Sequence, residues 1–289
     1  MESRAADGHE ESNKGADRPT GVRLAAVRDN PPSAPPEAAV DRQGAADMDS
    51  TELHAFREHA LAHGVNPILY WLARAVLIPF FLLYFRLARL GREHIPSSGP
   101  VLLAANHRSF LDPFVIGALT RRPVYYMAKR ELFEHRWQAW LLNSLGAFPV
   151  DRGHGDEQAM ATARAILKRG DCVVIFPEGT RVRPGPLAHP HRGVGRLALQ
   201  TGVPVVPVAV MGTEDVRRGW RIRPRKVSLR CGRPLRFPQA ERPTPAIALG
   251  VAERIWACVS LQWEWLGGAG ATPDEEIPAS DSRHRARAA

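Results

Sequence analysis

Residues 100–112 read Pro-Val-Leu-Leu-Ala-Ala-Asn-His-Arg-Ser-Phe-Leu-Asp. The first six, Pro100 to Ala105, are an apolar run of strand type, and behind them an imidazole, His107, and a carboxylate, Asp112, stand five positions apart. On an α-helix five positions amount to about 140° of rotation at 3.6 residues per turn, so the pair cannot share a helix face. The two side chains meet only where the chain turns, as it does where a strand hands over to a helix. Pro113 follows Asp112. Asp is a favoured N-cap and Pro a favoured first-turn residue, so Asp112 reads as the cap of a helix beginning here. A cap at this point brings the carboxylate back toward the strand end, where it can orient the ring of His107. A histidine held in this way is suited to drawing a proton from a hydroxyl. Active sites of open α/β sheets lie at the carboxyl ends of strands, and His107 follows such an end.

Working outward, strand-like and helix-like segments alternate. Phe114 to Leu119 suits a helix, Val124 to Met127 a strand, Glu131 to Leu142 a helix, and Ala147 to Val150 a strand. Glu157 to Arg169 has clear helical spacing and stops at Gly170, with Lys168 and Arg169 well placed in the last turn. Cys172 to Phe176 reads as a buried strand and Arg192 to Gln200 as a helix ended by Gly202. Val203 to Val210 is strand-like, but Pro204 and Pro207 argue for bulges or an edge position. Val227 to Cys231 suits a last strand, and Pro245 to Leu266 a Trp-rich closing helix. The alternation predicts an α/β fold, a mixed, mostly parallel sheet flanked by helices.

The 289-residue chain carries a formal net charge of +9. Residues 1–50 and 271–289 contain too few aromatic and β-branched residues to form a core, and are expected to be disordered extensions. An acyclic division follows: 51–92 as a helical docking segment and 93–266 as the catalytic domain. The first 50 residues have no apolar core of the signal-peptide type, which predicts a cytoplasmic protein. Cys172, Cys231 and Cys258 are odd in number and lack metal-ligand spacing, so they read as free thiols. A metal site on His107 and Asp112 would lack further ligands, and no metal is expected.

The basic balance points to an anionic surface or a phosphorylated ligand rather than nucleic acid, because no zinc finger, RNP-type motif or basic heptad region is present. Pro67 to Leu90 supports a surface. Its unbroken apolar stretch, Ala75 to Phe85, is flanked by Arg74, Arg86, Arg89 and Arg92 and crowded with aromatics. That stretch falls short of the roughly 20 residues a span requires. The pattern predicts a helix pair lying in a membrane interface, peripheral or monotopic. An ordinary core helix is the alternative. A spanning helix is disfavoured by Arg74 and Pro79.

Two further clusters follow strands. Phe176-Pro177-Glu178-Gly179-Thr180-Arg181 ends in an arginine whose planar fork suits phosphate. Gly146 to Arg152, GAFPVDR, ends the same way. Arginines at strand ends near a His/Asp pair suggest a phosphate pocket beside a base, to which Lys129 would add.

In this order His107…Asp112, GAFPVDR, FPEGTR and VPVVPVAV, spanning 106–210, resemble the motifs of the glycerolipid acyltransferase family, which includes the 1-acylglycerol-3-phosphate acyltransferases. His-x4-Asp alone is a weak signature; joined to FPEGTR it is specific. The resemblance implies transfer of a fatty acyl group from acyl-CoA or acyl-carrier protein, without a bound cofactor, to the hydroxyl of lysophosphatidic acid. The product would be phosphatidic acid, made at the cytoplasmic face of the membrane beside anionic lipids. It implies that His107 deprotonates the acceptor, that Asp112 supports the imidazolium, and that Arg152 holds the acceptor phosphate. Glu178, Gly179, Thr180 and Arg181 would shape the same site. No acyl-enzyme is implied, so Ser109 is not a nucleophile. Val203 to Val210 would be mostly core. Ala188 to Gly193, AHPHRG, departs from the usual pattern and would either tune acceptor choice or form a solvated loop. The alternatives are the same chemistry on another lysolipid or amino-lipid, or a non-catalytic membrane-binding member of the fold.

Overall fold

The computed structural model describes residues 50–151, 156–182, 185–218 and 221–268. The extensions expected over 1–50 and 271–289 lie outside them, apart from Ser50. Along the chain the elements are α1 (Ser50–Ala62), α2 (Pro67–Tyr84), β1 (Ala88–Leu90), β2 (Val101–Ala105), α3 (Asp112–Leu119), β3 (Val124–Lys129), α4 (Arg136–Ser144) and β4 (Ala147–Val150). There follow α5 (Glu157–Lys168), β5 (Cys172–Ile175), α6 (Gly193–Thr201), β6 (Val205–Met211), β7 (Arg217–Arg218), β8 (Arg221–Ile222), β9 (Ser228–Cys231) and α7 (Pro245–Glu264).

Seven strands form one sheet in the order β1-β9-β6-β2-β5-β3-β4, while β7 and β8 pair separately. All neighbours in the large sheet are parallel except β6 and β9. The mixed, mostly parallel sheet read from the sequence is therefore present. Strand β2 is central and buried along its whole length. Its alternation feeds two cores: Val101, Leu103 and Ala105 pack with α2 and α3, and Leu102 and Ala104 pack with α5, α6 and α7. A smaller cluster of Phe56, Phe133, Ala139 and Ala147 joins α1 and α4 beside β4.

Local chemistry starts and stops these elements. The Asn66 side chain accepts the Leu69 N–H at 3.1 Å and Pro67 opens the first turn of α2. Asp156 accepts the Ala159 N–H at 2.9 Å at the start of α5, and Thr244 accepts the Ile247 N–H at 3.3 Å at the start of α7. Helices α6 and α7 approach so closely at Gly195 that an added Cβ would stand 1.9 Å from the Ala248 carbonyl oxygen. Only glycine permits that contact.

The structure departs from the sequence reading in three places. Pro67 to Leu90 is not a helix pair: α2 ends at Tyr84, Arg86 takes a left-handed conformation (φ +47°), and Ala88–Leu90 pairs with β9. The sheet thus begins ahead of residue 93, because the backbone after Arg86 finds strand partners in β9 that a helix could not use. Glu131 to Leu142 is not one helix either. Arg130–Phe133 is a short 3-10 turn, and extended His135 separates it from α4, which leaves Phe133 buried under Phe56. Finally, β6 is an interior strand in spite of its proline. Pro207 lies one residue beyond the β9 pairing, which covers Val208–Met211, and its carbonyl accepts the Gly232 N–H at 2.8 Å. The missing N–H therefore falls at a local edge of an interior strand.

Helix α2 has two unlike faces. Tyr70 and Phe81 are buried, whereas Ile68, Leu72, Val76, Phe80 and Leu83 form an exposed apolar row, Ile68 and Leu83 each 80 % exposed. Arg74, within the apolar stretch, turns inward. Its guanidinium bonds the carbonyls of Gly117 and, at 2.7 Å, Thr120, while Arg89 bonds that of Ala118 at 3.1 Å. Two cations thus satisfy the orphan carbonyls at the C-terminus of α3 and complement its dipole.

Candidate active site

The site stands where β2 ends. Asn106 fastens that end to its neighbour: its side chain donates to Val210 O at 2.9 Å and accepts from Val210 N at 2.7 Å. The next residue, His107, is held from three sides. Its backbone N–H donates to Glu178 Oε2 at 2.6 Å, its carbonyl accepts the Val182 N–H at 2.9 Å, and its ring stacks on Phe176 with centroids 4.1 Å apart. His107 Nδ1 lies 2.8 Å from Asp112 Oδ2. Because the carboxylate oxygen is the acceptor there, the proton sits on Nδ1 and Nε2 carries the lone pair.

Asp112 is fully buried, and both its oxygens are used. Oδ2 also accepts the N–H groups of Arg108 at 2.6 Å and Ser109 at 2.7 Å, and Oδ1 accepts the Thr213 hydroxyl at 2.6 Å. The pairing of His107 with Asp112 read from the sequence is present, but the reason differs in part. The carboxylate makes no cap bond to α3; it reaches back to the amides of the turn before it. Three preceding backbone and ring donors converge on Oδ2, so the turn closes around the carboxylate. A buried acceptor so saturated is a rigid orienting group.

Strand β5 is the neighbour of β2, and its following loop brings Glu178 against His107. The second oxygen of Glu178 accepts the Ala188 N–H at 3.3 Å, and burial raises its carboxyl above the ordinary range. It joins the backbone of His107 to the Ala188 loop. Gly179 adopts φ +69°, and a Cβ there would meet the His191 ring at 2.9 Å. Thr180 and Arg181 are exposed, and Arg181 adjoins Val182, whose N–H binds His107. Lys129 ends β3, which β5 separates from β2 and which pairs with β4, and its ammonium pairs with Glu131 at 2.7 Å. Arg152 lies outside the described residues. Val203 to Val210 is core: β6 is buried from Val205 to Val210.

Several groups escaped the sequence reading. Thr213 and Phe176 touch the pair directly and Asn106 fastens the strand end beside it, yet each is a common residue type without a spacing signal. Arg108 is buried, bonds Gly185 O and lies 5.1 Å over the Trp263 ring, which ties the His107 turn to α7. Arg57 of α1, also buried, donates to Pro149 O at 3.1 Å and Gln158 at 2.7 Å and pairs with Asp156. It thereby clamps the end of β4 to the start of α5.

An open, mostly parallel sheet that presents an oriented imidazole at the carboxyl end of its central strand is the frame of an enzyme that activates hydroxyls. Residues 87–211 match the family model described as acyltransferase. That segment is therefore similar to acyltransferases, and the relatives it resembles act on glycerolipids and related lysolipids by name. A 1-acyl-sn-glycerol-3-phosphate acyltransferase of Bacillus subtilis is 34% identical over 124 residues, 42% of this chain and 61% of that protein. A lyso-ornithine lipid O-acyltransferase of Pseudomonas aeruginosa is 35% identical over 117 residues, 40% of this chain and 45% of that protein. The chain thus matches less than two thirds of either relative. The crystal structure of the 1-acyl-sn-glycerophosphate acyltransferase PlsC from Thermotoga maritima shares the fold, with a TM-score of 0.50 and 22% identity over 73% of this chain and 95% of that one.

Proposed function

We propose that this protein transfers a fatty acyl group from a thioester, acyl-CoA or acyl-carrier protein, to the free hydroxyl of lysophosphatidic acid, and so makes phosphatidic acid for phospholipid synthesis. The observation that carries the proposal is the 2.8 Å contact of His107 Nδ1 with a buried, fully engaged Asp112. Nε2 takes the acceptor's proton as the hydroxyl oxygen attacks the thioester carbonyl. The carbon–sulfur bond then breaks, and the thiolate leaves with the proton from the imidazolium. Asp112 offsets the positive charge that His107 carries between those two steps. Attack is direct, and no residue of the chain is acylated. Arg152 and Arg181 hold the acceptor's phosphate, Arg181 from the loop bonded to His107.

The reaction takes place on a membrane. The exposed row of α2 sinks into the acyl region at the cytoplasmic face, with its buried side still packed on the sheet. Helix α2 is long and apolar enough to cross a membrane by length and composition, but Arg74 binds it to α3 along one side, which favours lying in the interface.

A lysolipid without a glycerol phosphate is the second reading, supported by the similarity to the lyso-ornithine lipid enzyme. Purified protein, labelled acyl-CoA or acyl-carrier protein, and a panel of lysolipids test both. Turnover confined to lysophosphatidic acid is expected; turnover confined to lyso-ornithine lipid overturns the first reading, and none with any acceptor overturns the enzyme.

A further inference from the structure

Residues 217–226 read Arg-Arg-Gly-Trp-Arg-Ile-Arg-Pro-Arg-Lys, six cations in ten residues with no acid among them. The segment forms the β7–β8 pair, in which Arg217 faces Ile222 and Arg218 faces Arg221. It is fixed to the body by buried Val216, whose carbonyl accepts the Arg223 N–H at 2.8 Å. No step of the acyl transfer uses it.

Its position is informative. On one side the Tyr84 hydroxyl, at the end of α2, donates to Ile222 O at 3.1 Å, and Val227 N donates to Phe85 O at 3.0 Å. Ile222 is half exposed and extends the apolar row of α2 past Leu83. On the other side the Arg217 guanidinium lies 6.0 Å from the centroid of the Phe110 ring. Phe110 is exposed and belongs to the turn between His107 and Asp112. A cationic hairpin therefore joins the apolar row to the turn that holds the base. Cations gathered this densely repel one another unless an anionic surface faces them.

We infer that Arg223, Arg225 and Lys226, with the β7–β8 pair ahead of them, form an anionic-lipid docking element, which seats the mouth of the site on the negatively charged headgroup layer while α2 lies beneath it. The inference rests on the reading that α2 docks on a bilayer. Apolar insertion alone does not distinguish one membrane from another. The hairpin supplies that selectivity, since each arginine or lysine near an anionic surface adds to the attraction.

The test is partition of the full chain onto phosphatidylcholine vesicles with and without phosphatidylglycerol. Arg223→Gln/Arg225→Gln/Lys226→Gln is expected to weaken binding to the phosphatidylglycerol vesicles on the order of 100-fold, from the combined attraction of three surface charges. Binding to pure phosphatidylcholine should be unchanged. The charge-preserving Arg223→Lys/Arg225→Lys chain should bind as wild type, which separates charge from folding. Equal binding of the Gln variant and wild type to the anionic vesicles overturns the inference. So does a Gln variant that keeps vesicle binding but needs more acyl-CoA, because the hairpin would then serve the donor's phosphates. Wild type that binds neither vesicle sinks the α2 reading itself, a different failure from loss of lipid selectivity alone.

Discussion

The turn from His107 to Asp112 and the outer row of α2 reverse the usual rule in opposite directions. The turn buries polar groups, and α2 exposes large apolar ones. The difference lies in who supplies the partners. Asp112 receives four donors, all from this chain: a ring nitrogen, two amides and a hydroxyl. The catalytic geometry is therefore complete before any ligand arrives. Ile68, Leu72, Val76 and Leu83 have no cover within the described chain, and a contiguous row of that kind marks a surface completed by something else. One region is preorganised from within; the other leaves its apolar row uncovered by the described residues.

The sharpest way to break that contrast is at the base. His107→Ala should lower kcat by about 10⁴-fold or more, the scale seen when an oriented histidine–carboxylate base is disabled, and should leave vesicle binding intact. Thiol release from acyl-CoA measures the first and flotation the second; retained turnover removes His107 from the mechanism. Next in size, Asp112→Ala strands two buried amides and a hydroxyl, with about 1–3 kcal/mol for each unsatisfied group. A fall of several degrees in Tm together with lost activity is expected, and an unchanged Tm would show that the turn does not depend on the carboxylate.

The outer region should answer in the other direction. Leu72→Glu with Val76→Glu should abolish vesicle binding, since each side chain contributes about 1.5–3 kcal/mol when withdrawn from water, yet leave the urea midpoint in solution nearly unchanged. A large drop in the midpoint would make the row part of the core instead.

Smaller is the pH response of Glu178. Burial favours its protonated form, so its folded pKa stands above the ordinary carboxylate range. The native state then binds the extra proton, and stability is present below the unfolded pKa and lost as pH rises through the folded one. Glu178→Gln cannot titrate and should remove that part of the slope in urea titrations run from acid to neutral pH. The smallest effect is chemical. Burial pushes the thiols of Cys172 and Cys231 up to about 12, whereas Cys258 is only half-buried. Mass spectrometry after neutral alkylation should find Cys258 modified in the folded protein and all three cysteines modified after unfolding. Early modification of Cys172 would mean that the central sheet opens.

Much of this was legible in residue order. Apolar runs of four to six residues between helical spacings marked β2, β3, β4 and β5, and a fixed offset marked His107 and Asp112. Other features leave no such trace. Strand β1 was missed because Ala88–Leu90 continues the apolar composition of α2; only the left-handed Arg86 and the partner β9 make it a strand. The two backbone bonds of Glu178 were not legible, because FPEGTR states which residue follows the strand and not where its oxygens point. Nor was the place of Lys129, since the position of β5 between β3 and β2 is a matter of strand order.

By itself the sequence determined the alternation of elements, the pairing of His107 with Asp112, and an apolar helix flanked by arginines. These depend on spacing along the chain, where period and offset are explicit. The tertiary structure alone decided the strand order, the inward turn of Arg74 onto α3, the four donors on Asp112, and the union of the arginine hairpin with both α2 and Phe110. The bonds of Arg74 to Gly117, Thr213 to Asp112 and Tyr84 to Ile222 each join residues from about 40 to 140 positions apart. Such contacts are set by which surfaces must be buried together, a condition that no local pattern carries.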